Sequence, residues 1–325
     1  MIEKPSRVME RYSGFDMQGS HSCRVFLFGL SRILMFALAS LALPCAPANG
    51  AAVNAAATAD AVPSAMVLVP AGDFLMGSPA SATTPAEETP QHKVYVDAFY
   101  MDAYEVANEN FAAFLNAVSS RKDFEQLRTR WVVVRGDLRD PKKEEWWPTE
   151  IDFENGKYKA LPGFEKYPVI SVSWFSADEY CRWLGKRLPT EAEWERAARG
   201  GLEGRDYPWG DALPTDGIIF KRVWTNNYLP APTGAVGSYH PNGYGLYEMA
   251  GNVSEWCSDW YAPDYYRSGP AKNPAGPSSG SFKVVRGGSW ASSFQDLRIA
   301  FRNWSSPSYL NSGVGFRCVR DVTVK

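Results

Sequence analysis

Histidine and cysteine are scarce in this sequence, which contains three histidines and five cysteines in 325 residues. Beyond residue 48 only His92, His240, Cys181, Cys257 and Cys318 remain for a metal centre or a nucleophile. An iron site of two histidines and one carboxylate would need both histidines at one point. His92 lies in a strand pattern and His240 in a proline-rich turn, so structural roles are favoured. A Gly-x-Ser-x-Gly elbow is also missing, which argues against a serine-hydrolase triad.

The sequence also has no excess of basic residues. The whole chain has a net charge of −2. Beyond residue 48, which leaves out five basic and three acidic residues, 29 basic residues stand against 33 acidic ones, a net charge of −4. This mildly acidic composition offers no electrostatic footprint for nucleic acid or for an anionic membrane surface. We therefore expect no nucleic-acid partner.

The first 48 residues have the pattern of a secretory signal peptide. An apolar run covers residues 26–48, follows Arg24 and ends in the small-residue triplet Ala46-Pro47-Ala48. This pattern predicts a cleaved signal peptide at 1–48 and a secreted or periplasmic protein. An uncleaved anchor is the alternative and the one route to a membrane, although Arg32 interrupts the run. Residues 49–65 are alanine-rich without periodicity and are interpreted as a linker.

The folded part is predicted to begin with strands. MVLVPAGDFLMGS at 66–78 alternates apolar and polar residues around Pro-Ala-Gly, which predicts a β-hairpin, and 92–102 predicts another strand. Asn108 is a candidate helix cap, and 119–165 is a charged excursion.

Two capping boxes punctuate the middle of the chain. They are Ser176-Ala-Asp-Glu179 and Thr190-Glu-Ala-Glu193, each followed by a glycine exit. After residue 202, glycine, proline, asparagine and aromatic residues predict short strands and ordered loops rather than helices.

Two polar segments are candidates for chemistry. In GLYEMAGNVSEW at 245–256, Glu248 and Glu255 supply the hard oxygens that calcium requires, and a turn stabilised by Asn252 and Glu255 is an equally good interpretation. GGSWASSFQDLR at 287–298 offers hydroxyls, a carboxylate and a guanidinium, but no thiol or imidazole. Five tryptophans could form a carbohydrate-stacking surface, although core packing is the commoner use. These are Trp209, Trp256, Trp260, Trp290 and Trp304.

A set of ordered motifs carries a resemblance to a known family. Besides the segments at 66–78 and 245–256, it comprises Glu-x-Pro-x-His at 88–92, PVISVSWFSADEYCRWLGKRLPTEAEWERAARGG, YPWGD, VVRGGSW and GFRCVR. Over about 66–322 the chain resembles the formylglycine-generating, sulfatase-modifying factor family, which includes pyoverdine-maturation proteins and the C-terminal domains of ergothioneine-pathway sulfoxide synthases. The resemblance implies a single α+β domain of the C-type-lectin-like kind with little regular secondary structure.

The resemblance also implies structural calcium. By position, the first site would use Glu248, the carbonyls of Gly251 and Val253, and Glu255. A second site would use Asn227 and Tyr228, but the loop with its remaining ligands is shortened here.

The resemblance further implies a disulfide between Cys181 and Cys318. A second family disulfide would join the positions of Ala198 and Asn303, where both cysteines are absent. Three cysteines in an oxidising compartment leave one thiol over, which is Cys257 in this mapping.

Copper is not expected. Formylglycine-generating members bind copper(I) and the substrate thiol through two cysteines five residues apart, because soft thiolates suit this ion. Here the first position holds Ser292, and the second holds Leu297 or Arg298, depending on the direction of counting. The sulfoxide-synthase branch takes its iron ligands from an additional helical domain that this sequence does not contain.

What remains is a polar pocket with two possible functions. Its candidate residues are Ser289, Ser292, Asp296, Arg298 and Arg302. One hypothesis is a divergent envelope oxidoreductase or maturation factor acting on a peptide or secondary metabolite, with Asp296 as acid or base and an arginine holding an anion. The alternative is a non-catalytic, calcium-stabilised module that binds a peptide, glycan or envelope protein. Asp296 and Arg298 could also form only a surface salt bridge.

Overall fold

A computed structural model describes residues 65–132, 149–213 and 233–323. The signal-peptide prediction, the linker up to residue 64, and Asn227 and Tyr228 of the second calcium site lie outside the described residues. The chain divides into units 1–55 and 56–325, and every described residue belongs to the second. In the three described ranges no helix combines the length and the apolarity needed to cross a bilayer.

Short strands and few helices make up the described chain. In order they are β1 (Met66–Val69), β2 (Gly72–Met76), β3 (His92–Val96), β4 (Phe99–Asp102), α1 (Asn108–Val118), α2 (Phe124–Trp131), β5 (Ile151–Glu154), β6 (Lys157–Ala160), α3 (Trp174–Trp183), α4 (Glu191–Arg199), β7 (Ser254–Trp260), β8 (Lys283–Arg286), β9 (Asn303–Ser305), β10 (Val314–Gly315) and β11 (Val319–Asp321). The 3-10 helices include Ala86–Glu88, Tyr265–Arg267 and Phe294–Leu297. The predicted α+β class is confirmed, and the expectation of short strands and loops after residue 202 holds for the described residues.

The strands form two small sheets and two hairpins. One sheet has the order β1-β4-β11 and the other β10-β7-β8-β9, while β2 pairs with β3 and β5 pairs with β6. In the larger sheet β7 runs parallel to β10 and antiparallel to β8, and β9 lies at the edge. The chain that follows β8 and leads into β9 contains the GGSW segment.

The predicted hairpin at 66–78 is wrong. β1 pairs with β4, and β2 pairs with β3, so the two strands have different partners. An alternating pattern identifies the strands but not their partners, which here lie further along the chain. Arg196 donates to the carbonyls of Pro70, in the connection between β1 and β2, and of Asp73, in β2. The single strand predicted at 92–102 is in fact two strands, β3 and β4.

Two predicted helix caps are also corrected. α1 begins at Asn108, but its N-cap is Ala107, and the Asn108 amide donates instead to the Phe164 carbonyl. α3 begins three residues earlier than its predicted box, because Ser173 accepts from the Ser176 N–H and is the N-cap. Ser176 therefore lies inside the helix, where its hydroxyl donates to the Trp131 carbonyl.

The second capping box is confirmed at α4. Thr190 accepts from the Glu193 N–H, Glu193 accepts from the Thr190 N–H, and Gly200 ends the helix at φ 56° in the left-handed region. Every residue of α4 is buried, although five of its nine residues are charged. These buried charges need ion-pair partners, and the partners form the network described below.

The disulfide between Cys181 and Cys318 is confirmed. It joins α3 to the residue preceding β11 across 137 residues of sequence. Cys257 is free and buried, and burial raises its pKa well above the usual thiol value. A buried, protonated thiol is a core residue rather than a nucleophile.

Candidate functional site

Helix α4 is held by a buried network of arginine and glutamate side chains. Arg302 makes a bidentate contact with Glu191, at 2.7 and 2.9 Å between nitrogen and oxygen. Arg286 bridges Glu191 at 3.2 Å and Glu195 at 2.6 Å, and Arg199 also contacts Glu195 at 2.6 Å. Burial alone would raise the pKa of Glu191, but Arg302 and Arg286 more than offset it, and its pKa is lowered. Glu191 is therefore held as a carboxylate, and the network is a scaffold under the GGSW segment.

The GGSW segment turns sharply above this network. The Ser292 hydroxyl accepts from the Ser289 N–H at 2.9 Å, and the Ser289 hydroxyl accepts from the Ala291 N–H at 3.3 Å. Gly288 is at φ 67°, and a Cβ there would lie 2.8 Å from the Asp296 carbonyl oxygen. The turn therefore requires glycine at this position.

Asp296 stabilises the 3-10 helix that follows. Its Oδ2 accepts from both the N–H and the hydroxyl of Ser293, at 3.0 and 2.9 Å, which closes a capping box on Phe294–Leu297. Leu297 is completely buried and packs with Tyr207 and Ala250. Leu297, one of the two residues that could occupy the position of the family's second copper ligand, is therefore a core leucine.

Arg298 pairs with Glu88 and not with Asp296. Its two terminal nitrogens contact the two carboxylate oxygens of Glu88 at 2.7 and 2.6 Å, and the Ser78 hydroxyl also donates to Glu88. This bidentate contact raises the pKa of Arg298. The surface salt bridge considered between Asp296 and Arg298 is thus replaced by a contact across 210 residues of sequence.

An open groove of about 630 Å³ lies between the loop at 78–85 and the 3-10 segment. Its lining is rich in hydroxyls and carries two carboxylates and one aromatic ring. The lining residues are Ser78, Pro79, Ser81, Thr83, Thr84, Pro85, Asp206, Gln295, Asp296, Arg298 and Phe301.

The structure distributes the five predicted pocket residues over three places. Ser289 and Ser292 stabilise the turn, and Asp296 and Arg298 line the groove. Arg302 lies apart from them, 3 % exposed and bound to Glu191, so it does not face the groove. No thiol lines the groove, and the donor set offers copper(I) no soft ligand.

The predicted calcium segment forms a second polar centre. Glu255 accepts from Arg317 at 2.8 Å and from the Trp194 indole at 2.9 Å, and Glu248 accepts from the backbone N–H groups of Gly237 and Tyr239. Both carboxylates thus stabilise the surrounding backbone and side chains.

A third carboxylate, Glu105, joins this centre. It accepts from the Val253 N–H at 3.2 Å and from the Asn252 side chain at 2.6 Å. Burial and the nearby charges of Glu248 and Glu255 raise its pKa well above the usual value, and burial raises that of Glu248. Sequence reasoning missed Glu105 because it lies almost 150 residues before its partners.

The donor chemistry of this centre fits calcium better than a transition metal. Three buried glutamates share one buried guanidinium, that of Arg317, and all side-chain donors are hard oxygens. Within the described ranges, no group of three His, Cys, Asp or Glu side chains is arranged to hold a metal by itself. Backbone carbonyls, such as those of Gly251 and Val253, would have to complete the set.

The remaining candidates lie partly in the fold and partly on the surface. The Nδ1 atom of His92 lies 2.9 Å from the Pro90 carbonyl, and its ring packs on Tyr266. Trp256 is fully buried, whereas the Trp290 indole donates to the Ser312 carbonyl. Trp209 stacks on Tyr207 and Trp304 lies on the edge strand, both substantially exposed.

Comparisons with known proteins agree with this geometry. The family model described as sulfatase-modifying factor enzyme 1-like domain matches residues 52–322. A formylglycine-generating enzyme of Streptomyces coelicolor is 39 % identical, over 79 % of this chain and 89 % of that protein. The serine/threonine-protein kinase pkn1 of Chlamydia pneumoniae is 40 % identical, but the match spans only 38 % of the kinase. The structure of PvdO from Pseudomonas aeruginosa aligns with a TM-score of 0.58 and 25 % identity, over 79 % of this chain and 94 % of that one.

Proposed function

Since the chain belongs to the sulfatase-modifying factor family, we propose that it is an exported binding protein whose groove holds a peptide without oxidising it. This is the non-catalytic alternative of the two hypotheses. In this proposal the family scaffold is kept and stabilised by calcium, while copper-dependent formylglycine formation is lost. The partner is a peptide segment of a protein in the envelope.

One observation carries this proposal: every polar group of the predicted pocket is already engaged by the fold. Asp296 caps a helix, Arg298 is bound at both terminal nitrogens by Glu88, and Arg302 is bound by Glu191. A general acid or base, and an arginine that receives an anionic substrate, both need a group that can turn to the ligand. These side chains are placed to shape the groove instead.

The groove suits a peptide in size and chemistry. A volume of about 630 Å³ lies in the range of small-molecule and short-peptide sites. On one wall the hydroxyls of Ser81, Thr83 and Thr84 bond to one another and to the Pro79 carbonyl, and their remaining lone pairs can accept from a peptide backbone. Phe301 offers apolar contact.

The test is peptide selection followed by turnover measurement. Decapeptides selected from a random library on the purified protein are expected to lose about tenfold or more in affinity when Gln295→Trp fills the groove. Lys159→Trp, on the exposed face of the β5-β6 hairpin, is the matched control and should bind as the wild type does.

Turnover separates this proposal from the enzyme hypothesis. A Cys-x-Pro-x-Arg peptide incubated with the protein and copper should keep its mass. A mass loss at the cysteine that Gln295→Trp abolishes would establish catalysis, and a library that yields no groove-dependent binder would refute the binding function.

Calcium is tested separately by thermal unfolding. Chelation should lower the melting temperature by removing a ligand that binds only the native state. Glu248→Gln should abolish this response, because it removes one anionic oxygen donor. Glu255→Gln is a poorer test, since it also weakens the contact with Arg317 and destabilises the protein with or without metal. An unchanged melting curve after verified metal removal would refute the site.

A further inference from the structure

The edge of the four-stranded sheet carries a cluster of exposed aromatic rings. Trp304, in edge strand β9, is 44 % exposed, and Phe282, just before β8, is 38 % exposed. Their ring centroids lie 4.3 Å apart, and Tyr261 continues the cluster 5.9 Å from Trp304. We call these three rings the aromatic platform. None of them lines the groove between 78–85 and the 3-10 segment.

Two cations beside the platform, Lys283 and Arg302, are bound by other groups and are not exposed on its surface. Lys283 is buried with its ammonium between the indoles of Trp174 and Trp260, 4.0 and 3.9 Å from their centroids, and it donates to the Ser258 carbonyl. Arg302 lies 5.0 Å from the Tyr261 ring centroid and is bound to Glu191. The platform therefore presents aromatic surface without an exposed positive charge from these residues, which disfavours an anionic ligand.

Small uncharged polar residues neighbour the platform along the chain. Ser281 and Asn303 are exposed beside Phe282 and Trp304, and Ser305 follows in β9. The Trp304 N–H donates to Oδ1 of Asn303 at 2.8 Å, so this backbone donor of the edge strand is already satisfied. Strand addition relies on such donors. The edge thus offers side chains to a ligand more than backbone.

We propose that the aromatic platform binds a pyranose ring of an uncharged glycan. The apolar C–H face of a sugar ring can pack on Trp304 and Phe282, and its hydroxyls can stay solvated or pair with the exposed Ser281, next to Phe282. A contiguous exposed aromatic surface of this kind is typical of a ligand site. This site is independent of the proposed peptide groove.

The experiment measures binding of neutral oligosaccharides to the purified protein. A panel of glucose, N-acetylglucosamine, galactose and mannose oligomers is screened by immobilised-glycan binding and then by calorimetry. At least one member is expected to bind, and Trp304→Ala should lower its affinity about tenfold. Trp304→Phe keeps a ring and should stay within about threefold of the wild type, whereas Trp304→Leu should behave like alanine.

A matched control separates this site from other exposed aromatics. Trp209 is 40 % exposed and stacks on Tyr207 elsewhere on the surface, so Trp209→Ala should leave glycan binding unchanged. Circular dichroism and melting curves establish that each variant is folded. The proposal is overturned if no oligomer binds at millimolar concentration, if Trp209→Ala weakens binding as much as Trp304→Ala, or if Trp304→Leu binds as well as Trp304→Phe.

Discussion

The buried network under α4 and the wall of the groove both pair arginine with carboxylate, but they differ in how completely charge is paired. Under α4, Glu191 and Glu195 are surrounded by Arg286, Arg302 and Arg199, all essentially buried. At the groove the single arginine, Arg298, is 20 % exposed at its side chain and belongs to Glu88. Two further carboxylates there, Asp206 and Asp296, make no ion pair with it within 4.0 Å among the described contacts.

This difference shows that polarity alone does not identify a site. Arg302 and Arg298 lie four residues apart and look equally suited to hold a substrate anion. Only their partners separate them: one belongs to a buried network that stabilises the fold, and the other fixes the wall of a groove. Each role can be tested by substituting one charged residue and measuring the stability of the variant.

The largest effect is expected from Arg286→Met. The substitution leaves Glu195 with one guanidinium instead of two in a fully buried setting, which costs about 3 to 5 kcal/mol. Urea unfolding measures the change. Arg205→Met removes an exposed arginine paired with Asp211 and should leave the unfolding midpoint unchanged. Similar midpoints for both variants would show that the buried network is not the stabilising one.

Asp259 is the buried carboxylate of this region that no described arginine contacts within 4.0 Å, and it should make stability depend on pH. Burial and the neighbouring charge of Glu191 raise its pKa to about 7, and Lys283 is the nearby cation. The native state therefore keeps a proton that the unfolded chain releases near pH 4. Stability from this group is present at low pH and is lost as the pH rises toward 7.

The variant that tests this is Asp259→Asn, which keeps an oxygen to accept from the Glu191 N–H. Relative to the wild type, it should gain about 2 kcal/mol in free energy of unfolding between pH 5 and pH 8. Asp264→Asn, at an exposed position nearby, should track the wild type across this range. A difference between Asp259→Asn and the wild type that stays constant with pH would contradict a raised pKa at Asp259.

An intermediate effect is expected at the groove wall. Arg298→Met leaves the buried Glu88 carboxylate with the Ser78 hydroxyl as its described partner and should cost about 2 kcal/mol. Arg298→Lys should recover part of this loss, since an ammonium supplies the charge without the bidentate geometry. Equal stability of the methionine variant and the wild type, by urea unfolding, would mean that the contact does not hold the wall.

The features that sequence reasoning predicted correctly are local, or rest on the family resemblance. The box at Thr190 and Glu193 spans four residues, and the cysteine pairing follows from the motifs. The cap of α3 is Ser173 and not Ser176, although only Ser176 has a glutamate three residues later, because Ser173 accepts from the Ser176 N–H without a capping box. The hairpin at 66–78 is wrong because an alternating pattern indicates strands but not their pairing, which here involves β3 and β4 further along the chain.

The groove itself could be predicted only in part. Asp296 and Arg298 were candidates by position, but their partners were not visible. Glu88 lies in the Glu-x-Pro-x-His motif, which indicates no role for it, and its contact with Arg298 spans 210 residues. Glu105 had no local signal at all. Only the fold brings charges together across such distances, and this pairing determines which polar residues stabilise the structure.

The smallest effect, and the sharpest test of function, is expected at Asp296. Asp296→Ala removes the acceptor for the Ser293 N–H and hydroxyl and should cost about 1 kcal/mol, the usual value of a helix cap. Asp296→Asn keeps an acceptor oxygen and should lose less. If Asp296 only shapes the groove, the asparagine variant binds selected peptides like the wild type. Peptide affinity would also be unchanged in an enzyme that uses Asp296 as acid or base, so product formation separates the two cases. Mass spectrometry of the bound peptide would then show product with the wild type and none with Asp296→Asn.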